Sequence, residues 1–129
     1  MENQPMTQAQ RDMQMAALNR EYRKKSNEIN RQKDELIAEK STLITKGLEE
    51  FSATRARLLQ RVTDLRIQGA DIADIREAEH AIANLKQEKE LRRVKLNDGI
   101  LQKRLALDDE ARRLTDWYET EKETIMSAL

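Results

Sequence analysis

Gln68-Gly69-Ala70-Asp71 stands between two long runs of helix-forming residues and decides how they connect. Gly69 suits the left-handed position after a helix end, because it has no Cβ to crowd the neighbouring carbonyl. Asp71 can cap the helix that follows. Asp74 would then lie in its first turn, where a carboxylate complements the positive end of the helix dipole. A strong helix stop followed at once by a strong helix start, near the middle of a 129-residue chain, predicts a fold-back with two nearly equal arms.

Both arms carry the spacing that such a fold-back needs. Upstream, Met15, Tyr22, Ile29, Leu36 and Leu43 recur every seven residues, and Ile44, Phe51, Leu58 and Leu65 continue the series one position later. Downstream come Ile75, Ala78, Ile82 and Leu85, then Leu96, Ile100, Leu107, Leu114 and Tyr118. A seven-residue repeat keeps one side of a helix turned toward a partner over many turns. At the start, Thr7 with Gln10 three residues later fits a reciprocal capping box just after Pro5. The expected fold is all-α, a long coiled-coil-like antiparallel two-helix hairpin forming a single domain. Residues 1–6 form a flexible tail, 7–68 the first helix, 69–71 the turn and 72–127 the second helix. Arms of roughly 60 residues would each be about 90 Å long.

Charge supplies an independent test. A hairpin turning near residue 70 pairs positions whose numbers sum to about 140. Residues 20–33 carry a net +4 and face 107–120 with −3; residues 34–50 carry −3 and face 90–106 with +3; residues 55–66 carry +3 and face 74–85 with −2. Three successive blocks alternate in sign, and each meets its opposite. A parallel self-dimer would set every block against its own copy, so flanking charge selects the hairpin.

The apolar phase slips by one residue near Gly47 and again near Gly99, if Arg92 is counted as the seam position between Leu85 and Ile100. Kinks at these two glycines in otherwise continuous helices are expected. The rival reading makes Gly47 and Asn97-Asp98-Gly99 true turns of a four-helix bundle, since Asn-Asp-Gly is a respectable turn signal.

Composition sets the limits on function. Ala, Glu, Lys, Leu and Arg supply 68 of the 129 residues, the profile of long helices rather than of a broad globular core. With 24 basic and 24 acidic side chains there is no net field to draw in nucleic acid or an anionic membrane. The chain has no cysteine, which removes disulfides, thiolate ligands and a thiol nucleophile. The polar opening MENQPMTQAQ does not resemble a cleavable signal peptide, and no apolar run approaches the ~18 residues of a membrane span. The expectation is a cytoplasmic protein or a component of an assembled particle, with neither membrane nor nucleic acid as its partner.

More apolar residues are present than one seam can use. Leu91, Val94, Leu101 and Leu105 are helically spaced on a face largely opposite that of Leu96 and Leu107. Ile37, Ile44, Leu48 and Leu59 lie beside the main seam of the first arm. These two sets predict self-association, most simply a homodimer with a four-helix section. Its expected interface comprises Ile37, Ile44, Leu48, Leu91, Val94, Leu101 and Leu105. At the open end Met13, Met15, Leu18 and Tyr22 would meet Trp117, Tyr118, Ile125 and Met126. This cluster either seals a fraying end or docks another protein through Met13, Met15, Tyr22, Trp117, Tyr118 and Met126. Between Asn19 and Glu35 only Tyr22 and Ile29 serve the seam, so that stretch should be the loosest or should need a partner.

Chemistry has few footholds. Glu77 and His80 share a helix face in a Glu-x-x-His spacing used by di-iron bundles, but the facing segment adds only Asp64. The basic run from Arg20 to Lys25 faces an acidic arm that would cancel its field. No nucleophile–base set and no glycine-rich phosphate loop is present. Neither a cofactor, a metal site nor a catalytic residue is expected. The tip residues Gly69, Asp71 and Asp74 on a long antiparallel coiled coil resemble the bacterial factors that reach into the secondary channel of RNA polymerase and influence its catalytic metal. That resemblance, limited to a few tip residues and the general shape, implies a transcription regulator. The leading expectation is instead a non-catalytic, oligomeric coiled-coil scaffold, spacer or assembly adaptor, of a secretion or phage-type particle, with a chaperone-like holder of clients as the alternative.

Overall fold

The computed structural model describes residues 6–128. Two helices account for nearly all of them: α1 spans Gln8–Ile67 and α2 spans Ile72–Ser127. They pack against each other as an all-α antiparallel hairpin, with no strand among the described residues. The expected boundaries, 7–68 and 72–127, differ from the observed ones by a single residue at each end of α1.

The signals at Thr7 and Gly69 have a visible physical basis, whereas α2 opens on the Asp71 main-chain carbonyl rather than on the side-chain cap expected there. The Thr7 hydroxyl accepts from the Gln10 N–H at 3.2 Å, and the Gln10 side-chain oxygen accepts from the Thr7 N–H at 3.0 Å, which makes a complete capping box. At the turn Gly69 has φ +68°, the only positive φ among the described residues. The Gly69 N–H donates to the Arg66 carbonyl at 3.2 Å and the Ala70 N–H to the Leu65 carbonyl at 3.0 Å. This is the paired Schellman closure of a helix by a left-handed residue. The Asp71 carbonyl then accepts from Asp74 and Ile75 N–H groups and opens α2. Arg66 in the last turn of α1 and Asp74 in the first turn of α2 both suit the local dipole.

Gly47 and Gly99 are not turns. Both lie inside unbroken helix, and neither has a positive φ. The four-helix alternative is therefore overturned, because main-chain hydrogen bonding continues through Asn97-Asp98-Gly99 despite its turn-like composition. The one-residue slip has a simpler origin. Seam positions in α1 fall at Met15, Leu18, Tyr22, Ser26, Ile29, Lys33, Leu36 and Lys40, then at Phe51, Thr54, Leu58, Val62 and Leu65. Their mean interval is about 3.6 residues, the natural period of the helix, so a strict seven-residue count must slip once over this length.

Contacts divide the chain into two compact units, each made of a piece of α1 against a piece of α2. One comprises residues 6–36 with 102–128 and is called here the terminal unit; the other, the tip unit, is Ile37–Leu101. In the terminal unit Leu18, Ile29, Leu36 and Ile125 are buried. In the tip unit Val62 and Ala78 are buried, with Phe51, Leu58, Leu65, Ile75, Ile82 and Leu85 half-buried around them. Of the tail expected over 1–6, residues 1–5 lie outside the described residues, while the Met6 N–H donates to the Ala128 carbonyl at 3.1 Å.

Candidate interaction surfaces

The three complementary charge blocks each contribute an ion pair between the helices. Lys33 meets Asp108 at 2.8 Å in the terminal unit; Glu50 meets Arg92 at 4.0 Å and Arg66 meets Glu79 at 2.7 Å in the tip unit. All three keep to residue numbers summing to about 140, the register expected from charge alone. Their side chains remain largely in water, so each contributes little to stability and their service is to register. The hydrogen bond from Lys33 holds the Asp108 carboxyl below its ordinary range. Along α1, Arg31 bridges Glu28 and Glu35; its hydrogen bond lowers the Glu28 carboxyl, and the two carboxylates raise the Arg31 guanidinium. Arg92 is exposed, so it does not serve as the seam position between Leu85 and Ile100. Lys89 and Leu96 are the half-buried side chains there, and the Lys89 ammonium lies 4.4 Å from the Phe51 ring centre.

At the open end the aromatic residues are used internally. The Tyr22 and Tyr118 rings lie 4.6 Å apart at 41°, the Tyr118 hydroxyl donates to Asn19 Oδ1 at 2.7 Å, and Lys25 sits 4.4 Å above the Trp117 ring. Leu18 and Ile125 are buried beside them. Of the six candidate docking residues, Met15, Tyr22, Trp117 and Tyr118 are half-buried in this closure, and Met13 and Met126 face solvent. The stretch from Asn19 to Glu35, short of apolar seam residues, is filled by half-buried Ser26, Gln32 and Lys33 around a well-buried Ile29.

In the tip unit Ile37, Leu43, Ile44, Leu48 and Leu59 of α1 and Leu91, Val94 and Leu101 of α2 are exposed; Leu105 is exposed in the terminal unit. Every residue from Ser41 to Glu50 is exposed. The reason lies in the seam at that level, where Lys40 and Gly47 supply one long polar side chain and none at all. An open groove of about 570 Å³ runs between the helices of this unit, lined by Phe51, Ser52, Arg55 and Leu59 of α1 and by Lys86 and Glu90 of α2.

At the tip, Asp71 and Asp74 are exposed beside Ile67 and Ile72, which are the most exposed aliphatic residues here. Glu77 and His80 are exposed too, and no group of three metal-ligating side chains occurs among the described residues. Among the described residues no helix is long and apolar enough to cross a membrane. Val62 is a buried apolar seam residue outside the seven-residue series. Its signal was its place between Leu58 and Leu65, four residues after one and three before the other. Comparison with protein-family models, with characterised proteins and with solved structures gives no match.

Proposed function

We propose that this chain is a non-catalytic structural protein, an oligomeric coiled-coil scaffold, spacer or assembly adaptor of the sort used in secretion or phage-type particles. The observation that carries this reading is the apolar surface of the tip unit. Ile37, Ile44, Leu48, Val94 and Leu101 stay in contact with water although the helices beside them are well formed. Completing the burial of each would contribute about 2 kcal/mol, more than the exposed interhelical ion pairs supply. An apolar surface of this kind marks association with another protein surface. The open end, whose aromatic residues already satisfy one another, offers Met13 and Met126 as a second and smaller contact.

Sedimentation velocity of the purified chain tests the proposal, with a client assay alongside it. A scaffold is expected to sediment as a defined oligomer at micromolar concentration and to leave the aggregation of an unrelated unfolded protein unchanged. A monomer that suppresses that aggregation would replace the scaffold by a holder of clients, which would use the same exposed side chains.

A further inference from the structure

The groove of the tip unit identifies one face of the hairpin, because Ser52, Arg55 and Leu59 of α1 and Lys86 and Glu90 of α2 all line it. Helical spacing carries that face along both helices. On α1, steps of three and four residues lead from Leu59 back through Arg55, Ser52, Leu48, Ile44 and Ser41 to Ile37. On α2, Val94 follows Glu90 by one turn and Leu101 follows Val94 by two. From Ile37 to Ser52 the α1 part of this face carries no charge at all.

We infer that this face is an antiparallel, two-fold interface with a second copy of the same chain, centred on Leu48. The inference rests on the oligomeric reading above and names its partner and geometry. A two-fold axis through Leu48, running across both helices, lays α1 on α1 and α2 on α2 of the second copy. Leu48 then meets its own counterpart, and Ile37 meets Leu59 at each flank. On α2 the same axis brings Glu90 to the level of Arg93 of the second copy. These two residues already pair within one chain at 3.0 Å, so the two copies form a ring of alternating charge about the axis. A parallel arrangement loses this match and sets Arg55 of one copy against Lys86 of the other.

The area is sufficient. Ile37, Ile44, Leu48, Leu59, Val94 and Leu101 are between 39% and 66% exposed. Together they offer roughly 500 Å² per copy, and the Ser41, Thr45, Ser52 and Ala83 surfaces between them bring the face toward the ~800 Å² per partner of a stable interface. Leu91 points away from this face, one residue and so about 100° beyond Glu90, and is not part of it.

Single-cysteine variants test the geometry, because the chain has no cysteine of its own. Under mild oxidation Leu48→Cys is expected to give a covalent dimer in high yield. The Ile37→Cys/Leu59→Cys double variant should also cross-link between copies, while each of its single variants does not. Leu48→Glu, which sets two carboxylates against each other on the axis, should shift the dissociation constant upward by at least tenfold, and Leu91→Glu should leave it unchanged. Circular dichroism of each variant confirms that the helices persist. A wild-type chain that is monomeric at 100 µM would overturn both this interface and the oligomeric reading. A stable oligomer that neither cross-links through Leu48→Cys nor responds to Leu48→Glu would overturn the interface alone.

Discussion

Replacing Gly47 with alanine should make the protein more stable. Gly47 sits in the interior of α1, has no left-handed φ, and a Cβ built on it meets nothing within 4 Å. The only terms that change are therefore backbone entropy and helix propensity, which favour alanine by about 0.8–1 kcal/mol. Gly99 in α2 has the same properties, so Gly99→Ala should gain a similar amount, and the double variant about 2 kcal/mol if the sites do not couple. Gly69 provides the opposite sign. Its φ of +68° would force alanine into the left-handed region, at a cost of about 1–2 kcal/mol. For a chain of this size 1 kcal/mol corresponds to a Tm change of about 3–5 °C. Thermal unfolding followed by circular dichroism reads all three variants, at one fixed protein concentration because association raises Tm. A destabilised Gly47→Ala or Gly99→Ala variant, or a stabilised Gly69→Ala variant, would refute the assignment of two helical glycines and one turn.

Neighbouring residues in α1 should respond in opposite ways to truncation. Leu36 is 7% exposed and Ile37 66% exposed, so Leu36→Ala should cost about 2–4 kcal/mol in chemical denaturation, whereas Ile37→Ala should cost under 1 kcal/mol when association is diluted out. The Lys33–Asp108 pair should be visible in carboxyl titration by NMR. Its hydrogen bond depresses the folded pKa of Asp108, so the stabilisation is present above the ordinary carboxylate range and is lost as pH falls through the folded value. Lys33→Gln should move the Asp108 titration upward; an unchanged midpoint would show that the pair does not form in solution.

Much of this fold is legible because its determinants are local or periodic. Thr7 with Gln10, and Gly69 followed by Asp71, are short signals whose hydrogen bonds form within a few residues, and both ends of α1 follow from them. Register is legible for another reason. Charge blocks about fifteen residues long tolerate errors of a few positions, and Lys33–Asp108, Glu50–Arg92 and Arg66–Glu79 each fall within their block.

What local signals misjudge is cooperative. Asn97-Asp98-Gly99 reads as a turn in isolation, yet helix propagates across it because flanking Leu96 and Ile100 are held in the seam. Counting sevens from Leu85 lands on exposed Arg92, whereas an interval nearer 3.6 puts Lys89 and Leu96 in the seam. The interaction surfaces are legible only in part. Surplus leucines can be counted from spacing, but which of them share one face depends on how the two helices are rotated against each other. Leu91 and Val94 lie only three residues apart, yet Val94 continues the row of the groove residue Glu90 and Leu91 does not.

The fold-back at Gly69 is tested most directly by a distance between the two helices near the open end. Spin labels on Arg23→Cys and Glu119→Cys, both exposed, can be measured by pulsed electron resonance in samples diluted with unlabelled protein, so that only distances within one chain are read. Helices packed at about 8–10 Å between axes predict a label separation of roughly 10–25 Å. One uninterrupted helix between these positions would hold the labels about 140 Å apart, so a distribution lying wholly beyond about 50 Å would contradict the hairpin.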